Sequence, residues 1–184
     1  MRTGPHGLHL RQLTTPAEAT PALRQALTDC WIAVTNAGGA AGFPFPPVDA
    51  RDVAPAVDAL ASALAPDTSR LLTASLDGDG ELAGWLNLRR DPGRLVAHWG
   101  TLHHVQTRPD LRGRGIGAAL VRYARETARE DLGLEQLHLA ARGGAGLEKF
   151  YGRLGWRESG RRPGALRFAP GDDRDEVLMF LAPL

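Results

Sequence analysis

The chain has 184 residues, with 22 Lys and Arg against 21 Asp and Glu, a formal net charge of +1 and 43% hydrophobic residues. That is enough for one domain, expected over residues 1–184, with its own core, and the charge balance excludes a bulk electrostatic case for nucleic acid or membrane surfaces. No apolar run reaches membrane-spanning length, residues 1–13 lack the continuous apolar stretch of a signal peptide, and the single cysteine, Cys30, excludes an intrachain disulfide or a cysteine-based metal cluster. A cytoplasmic location is expected, with no metal, no nucleic acid and no membrane among the partners.

In chain order, residues 7–13 read as a first strand. Thr14-Thr15-Pro16-Ala17-Glu18 is a helix start, with a Thr cap, Pro in the first turn and Glu three residues on. The helix is expected to reach Asn36, with Leu23, Leu27, Trp31 and Val34 on one face, and Gly38-Gly39 ends it. Residues 38–48 form a proline-stiffened loop with two aromatics, Phe43 and Phe45, which either line a pocket or pack on the core. Residues 49–64 read as a second helix with Val53, Val57, Leu60 and Leu64 on one side and Pro55 near its first turn. Residues 70–76 and 81–88 are two strands joined by the hairpin signal Asp77-Gly78-Asp79-Gly80. After Asp91-Pro92-Gly93, residues 95–107 read as one long strand, or a strand with a bulge near Gly100. Its alternation puts His103 and His104 on opposite faces.

Residues 105–123 organise the rest. An extended segment through Val105, Gln106 and Thr107 ends near Arg108-Pro109. A turn holding Arg112, Gly113, Arg114, Gly115 and Gly117 follows, and then Ile116, Leu120, Tyr123 and Thr127 recur at helical spacing. A helix N-terminus offers unpaired backbone N–H groups and partial positive charge. Glycines allow close approach, and Arg112 and Arg114 add charge, so the turn is predicted to bind a pyrophosphate. No Lys-Ser or Lys-Thr follows Gly117, which excludes a Walker A loop, and the glycine spacing is not that of a dinucleotide fingerprint. The helix is expected to reach Leu132, with Arg122, Arg125, Glu126, Arg129 and Glu130 on a solvated face. Residues 134–140 form a strand, 142–146 a glycine-rich loop and 147–154 a short helix. Strands at 156–161 and 176–181 then flank a loop at 161–175 rich in both charge signs.

Arg112-Gly113-Arg114-Gly115-Ile116-Gly117 resembles the acyl-CoA signature Q/R-x-x-G-x-G/A of the GCN5-related N-acetyltransferases. Leu147-Glu148-Lys149-Phe150-Tyr151-Gly152-Arg153-Leu154-Gly155-Trp156 resembles that family's A-x-x-F-Y-x-x-x-G-F segment, in the expected order and at the expected distance. The resemblance implies an α+β (α/β) fold, a mixed, mostly antiparallel central sheet flanked by helices. It places acyl-CoA at a splayed strand pair and the following helix N-terminus. It implies acetyl-CoA as acyl donor and direct transfer to an amine within a ternary complex. Tyr151 matches the tyrosine that protonates the leaving thiolate, and backbone N–H groups at Val105 or Thr107 would polarise the carbonyl. Phe150, beside Tyr151, is assigned with Gln106 and the glycine turn to the donor site.

Two positions depart from the pattern. Relatives often carry a glutamate base on the strand before the turn, where this chain has Thr101 and His103. His103 has the right ordinary pKa for the role, unless the amine arrives already neutral. Relatives often place asparagine at Gly144, where Arg142 could supply the missing contact. The acceptor pocket is expected from Trp31, Phe43, Phe45, Trp85, Asn87 and the 161–175 loop, whose mixed charges suit a zwitterion or simply neutralise each other. The expected acceptor is a small-molecule primary amine. A peptide N-terminal acetyltransferase and a non-catalytic acyl-CoA sensor stay open, as do a monomer and a homodimer.

Overall fold

The structure, a computed structural model, describes residues 2–3 (backbone alone), 7–39, 42–43, 46–76 and 80–184. Phe45 and the hairpin residues Asp77, Gly78 and Asp79 lie outside these. Eight strands form one mixed sheet: β1 (Arg2–Thr3), β2 (Leu8–Leu13), β3 (Ser69–Leu76), β4 (Leu82–Arg90), β5 (Trp99–Thr107), β6 (Gln136–Arg142), β7 (Arg157–Ala169) and β8 (Asp172–Leu181). Their order is β1-β2-β3-β4-β5-β6-β8-β7. Neighbours are antiparallel except β5 and β6, which run parallel.

Helices cover both faces. On one, α3 (Ile116–Glu130) and the short α4 (Leu147–Gly152) close a core containing Leu72, Leu86, Leu120, Leu137, Val177 and Trp156. On the other, α1 (Pro21–Asn36) and α2 (Ala50–Ser62) pack Leu27, Trp31, Val53 and Val57 against Leu13, Leu71 and Trp85. The buried stripe of α3, including Ile116, Leu120, Tyr123 and Thr127, follows the predicted helical spacing. Each large apolar side chain on it contributes roughly 1.5–3 kcal/mol on burial.

Several boundaries differ from the sequence expectation, each for a local reason. The capping box of Thr15 and Glu18 is real, but it starts only a single 3-10 turn, Pro16–Glu18. A second cap, Thr20, accepts from Leu23 N at 3.3 Å and starts α1 at Pro21. Pro55 lies inside α2, past the first turn, after a second capping box of Asp49 and Asp52. Residues 94–98 are turns, so β5 begins only at Trp99. Its irregularity falls at residues 104–105 instead of near Gly100, because Asn87 faces His103 while Trp85 faces Gln106. Three steps on β5 thus match two on β4, which is a β-bulge.

The largest correction concerns residues 161–175. They form the long arms of the β7–β8 hairpin, closed by a two-residue turn at Pro170-Gly171. Cross-strand ion pairs link Arg161 to Asp175 at 3.2 Å, Arg162 to Glu176 at 2.6 Å and Arg167 to Asp173 at 2.7 Å, and Arg174 pairs with Asp172. The mixed charges are a ladder along a ribbon, with each sign answered by its neighbour.

Candidate active site

The parallel pairing of β5 with β6 is short. It covers Trp99 with Gln136, Gly100 with Leu137 and Thr101 with His138, after which both strands run on without pairing to each other. A cavity of about 1180 Å³ occupies the opening, lined by residues 101–107 of β5 and 139–142 of β6. On the β6 side, backbone groups of β5 beyond Thr101 therefore have no strand partner and face this space. Val105, Gln106 and Thr107 all line it.

At one end of the cavity stands the glycine turn. Gly113 and Gly115 have φ of +80° and +79°, and an added Cβ at either would meet nothing within 4 Å. Glycine is needed there for backbone conformation, not for space. Gly115 is the N-cap of α3 and no side chain caps that end, so the first amides of a 15-residue helix stay available. Gly117 is different: a Cβ there would lie 3.3 Å from Thr107 Oγ1 and 3.5 Å from Phe150 Cζ, so turn, strand and α4 converge on it. Arg112, Gly113, Gly115, Ile116 and Gly117 line the cavity, and Arg114 is absent from the lining. Arg122 and Arg153 add positive charge to it without a motif to announce them. Arg122 was legible by spacing, since residues 115, 118 and 122 stack on one helical face, yet its charge suggested a solvated position.

Tyr151 and Phe150 line the wall contributed by α4. The Tyr151 ring lies edge-on to Phe150 at 4.9 Å and to Trp156 at 5.8 Å. It is 5% exposed, and burial pushes its phenol well above the ordinary value, so it stays protonated at neutral pH.

The bulge shapes the far end. His104 has φ +53°, a left-handed backbone uncommon for a residue with a side chain. The extra residue breaks the alternation, so His104 turns to the α1 side, with its ring 4.7 Å from Trp31, 5.8 Å from Trp85 and 6.0 Å from His103. The opposite-face expectation for the two histidines therefore fails, and both line the cavity. Burial, and then the charge of Arg89, lowers the His103 pKa. Burial, then His103 and Arg89, lowers that of His104 to about 4. Both imidazoles are neutral at pH 7, the form that can accept a proton.

Trp31, Trp85 and Asn87 stand behind this wall and not on it. Trp31 is 3% exposed, and Trp85 and Asn87 are fully buried. Asn87 Nδ2 donates to Ser69 Oγ and to the Arg70 carbonyl, both at 3.1 Å. Phe43 does reach the cavity, packed edge-on against Trp31 at 5.2 Å. Gln106 is buried with both ends of its amide unpaired.

Arg142 lines the cavity, but its Nη2 donates to the Gly38 carbonyl at 2.6 Å and its guanidinium lies 4.8 Å from the Phe168 ring centre. It ties β6 to the end of α1. Gly144, at φ +78°, does not line the cavity, while Ala145 and Gly146 do. The hairpin adds Leu166, Phe168 and Glu176, which the loop reading of this segment could not place.

The described residues contain no group of three or more His, Cys, Asp or Glu side chains fit for a metal, and no helix long and apolar enough to cross a membrane. A one-sided opening between parallel strands, with a bare helix N-terminus at one end and neutral imidazoles at the other, suits a long phosphate-bearing ligand meeting a second, smaller one.

The chain is similar in structure to a GCN5-related N-acetyltransferase from Kribbella flavida, with TM-score 0.74, 21% identity, and 98% of this chain and 100% of that one covered. It is similar to the ribosomal-protein-S18-alanine N-acetyltransferase from Escherichia coli at TM-score 0.67 and 17% identity, covering 96% and 94%. An aminoglycoside 6'-N-acetyltransferase complexed with coenzyme A matches at TM-score 0.68 and 16% identity, covering 95% and 96%. At such identities these likenesses show the fold alone. No curated protein sequence matches the chain. The model of the acetyltransferase (GNAT) family matches residues 21–156. The chain belongs to the acetyltransferase (GNAT) family.

Proposed function

We propose that the protein moves an acetyl group from acetyl-CoA to the primary amine of a small molecule, by direct transfer in a ternary complex. The observation that carries this reading is the single opening between β5 and β6, with the glycine turn of α3 at one end and the His103–His104 pair at the other. In this reading the amides of residues 115–118, with Arg112 and Arg122, hold the donor's pyrophosphate, and the unpaired β5 backbone holds its extended arm. A backbone N–H at Val105 or Thr107 faces the thioester oxygen as it gains charge.

The amine must lose a proton before it attacks. His103 takes that proton, although the burial that keeps its ring neutral also makes it a weaker base than a free imidazole. Nitrogen attacks the thioester carbon, the C–S bond breaks, and the departing sulfur takes the phenolic proton of Tyr151. The proton still on the new amide nitrogen then returns to the phenolate. One acetylated amine, one free thiol and one proton released to solvent are the net products. The tied charges of the hairpin support a small acceptor held by shape and imidazole more than a zwitterion held by ion pairs.

The test is calorimetric binding of acetyl-CoA, followed by thiol release with small amines, amino acids, aminoglycosides and short peptides. Thiol release that depends on a small amine, with a matching acetylated product, is the expected result. Acetyl-CoA binding with no release for any acceptor would point to a sensor, and release with peptides alone to a protein acetyltransferase.

A further inference from the structure

We infer that the acceptor is a monoamine with an apolar body, and that polycationic amines are poor substrates. This rests on the acetyltransfer reading and names the substrate class of the same site.

Phe43, His103, His104, Leu166 and Phe168 all line the cavity. They offer rings and aliphatic carbon, and burial holds the two titratable rings neutral. The charged side chains that the hairpin adds to the lining, Glu176 and Arg167, are each paired. Glu176 is the one acid among the described residues lining the cavity, and its carboxylate accepts from Arg162 Nη1 at 2.6 Å. Arg167 is gripped by both oxygens of Asp173, at 2.7 and 2.8 Å. Arg142 spends Nη2 on the Gly38 carbonyl and its face on Phe168.

A polyamine or aminoglycoside brings several ammonium groups. Each one entering the cavity beyond the first would lose hydration with no free carboxylate among the described lining residues to replace it, and an unpaired buried charge is strongly unfavourable. A monoamine brings one. It meets two neutral imidazoles that accept its hydrogens, and its apolar body meets the rings of Phe43 and Phe168.

The experiment compares kcat/KM at saturating acetyl-CoA for phenethylamine, hexylamine, spermidine and kanamycin. Phenethylamine should exceed spermidine and kanamycin by about a hundredfold or more. Phe43→Ala should raise the KM for phenethylamine about tenfold and leave kcat near wild type. Preference for a polycation, or an unchanged KM in Phe43→Ala, would overturn the assignment.

Calorimetric titration of each amine into CoA-loaded protein separates the two readings. If acetyl-CoA binds and no amine is acetylated, the acetyltransfer reading fails. Phenethylamine binding more tightly than spermidine would still uphold the class of ligand, and the reverse order would overturn it.

Discussion

The imidazole of His104 packs against the indole of Trp31 with ring centres 4.7 Å apart, although alternation along β5 would point it to the other face of the sheet. The contact exists because His104 occupies the extra position of a bulge with a left-handed backbone. Strain of this kind persists where the surroundings enforce it and clusters at functional sites. His104→Gly removes the ring but relieves the backbone, whereas His104→Val removes the ring and places a β-branched residue at a conformation costing about 1–2 kcal/mol. Urea denaturation should rank the glycine variant above the valine variant by about that amount. Equal stabilities would mean that the backbone at this position is not left-handed in solution.

The same ring makes stability depend on pH. Burial, then His103 and Arg89, holds its pKa at about 4, against roughly 6.5 for an unfolded chain. Between those values the unfolded chain binds a proton that the native ring refuses, so stability rises with pH through that window. Wild type should lose stability as pH falls from about 6.5 toward 4. His104→Asn, which tolerates the backbone and does not titrate, should flatten that slope. A slope identical in the two proteins would assign the titration to another group.

Gly117 separates folding from binding. Its φ is not in the left-handed region, and a Cβ there meets Thr107 Oγ1 at 3.3 Å, a tight contact that a small shift relieves, and Phe150 at an ordinary 3.5 Å. Gly117→Ala should therefore fold with stability within about 1 kcal/mol of wild type, helped by the better helix propensity of alanine. A methyl group at the point of close approach should weaken acetyl-CoA binding about tenfold or more by calorimetry. Wild-type affinity would remove the glycine turn from the donor site.

Tyr151 is tested by its hydroxyl alone. Tyr151→Phe keeps the ring packed against Phe150 and Trp156 and removes only the proton donor. Acetyl-CoA binding should survive, and kcat should fall about tenfold to a hundredfold or further. Turnover within about twofold of wild type would make the leaving-group acid something other than this phenol.

What was legible in the sequence was local. The glycine turn and the α4 segment are contiguous motifs whose chemistry depends on backbone that neighbouring residues set, so reading them placed Arg112, Gly117 and Tyr151 at the cavity. The expected mixed sheet and the helices on both its faces are also found. Long-range facts were harder. No glycine marks the bulge at His104, so alternation gave the wrong face. The chemistry of Trp31, Trp85 and Asn87 suggests substrate contact, but all three are buried, with Trp31 packed behind His104. Residues 161–175 read as a loop because charged residues of both signs resemble a solvated segment, while ion pairs across a ribbon become visible only once register is known. The true start of α1 was hidden by the earlier capping box at Thr15, which is well formed and closes one turn.

The most direct test of the account is a crystal structure of the protein with acetyl-CoA. The account predicts pyrophosphate on the amides of residues 115–118, the extended arm between β5 and β6, and the thioester beside Tyr151. Acetyl-CoA seated anywhere other than the opening between these strands would contradict it.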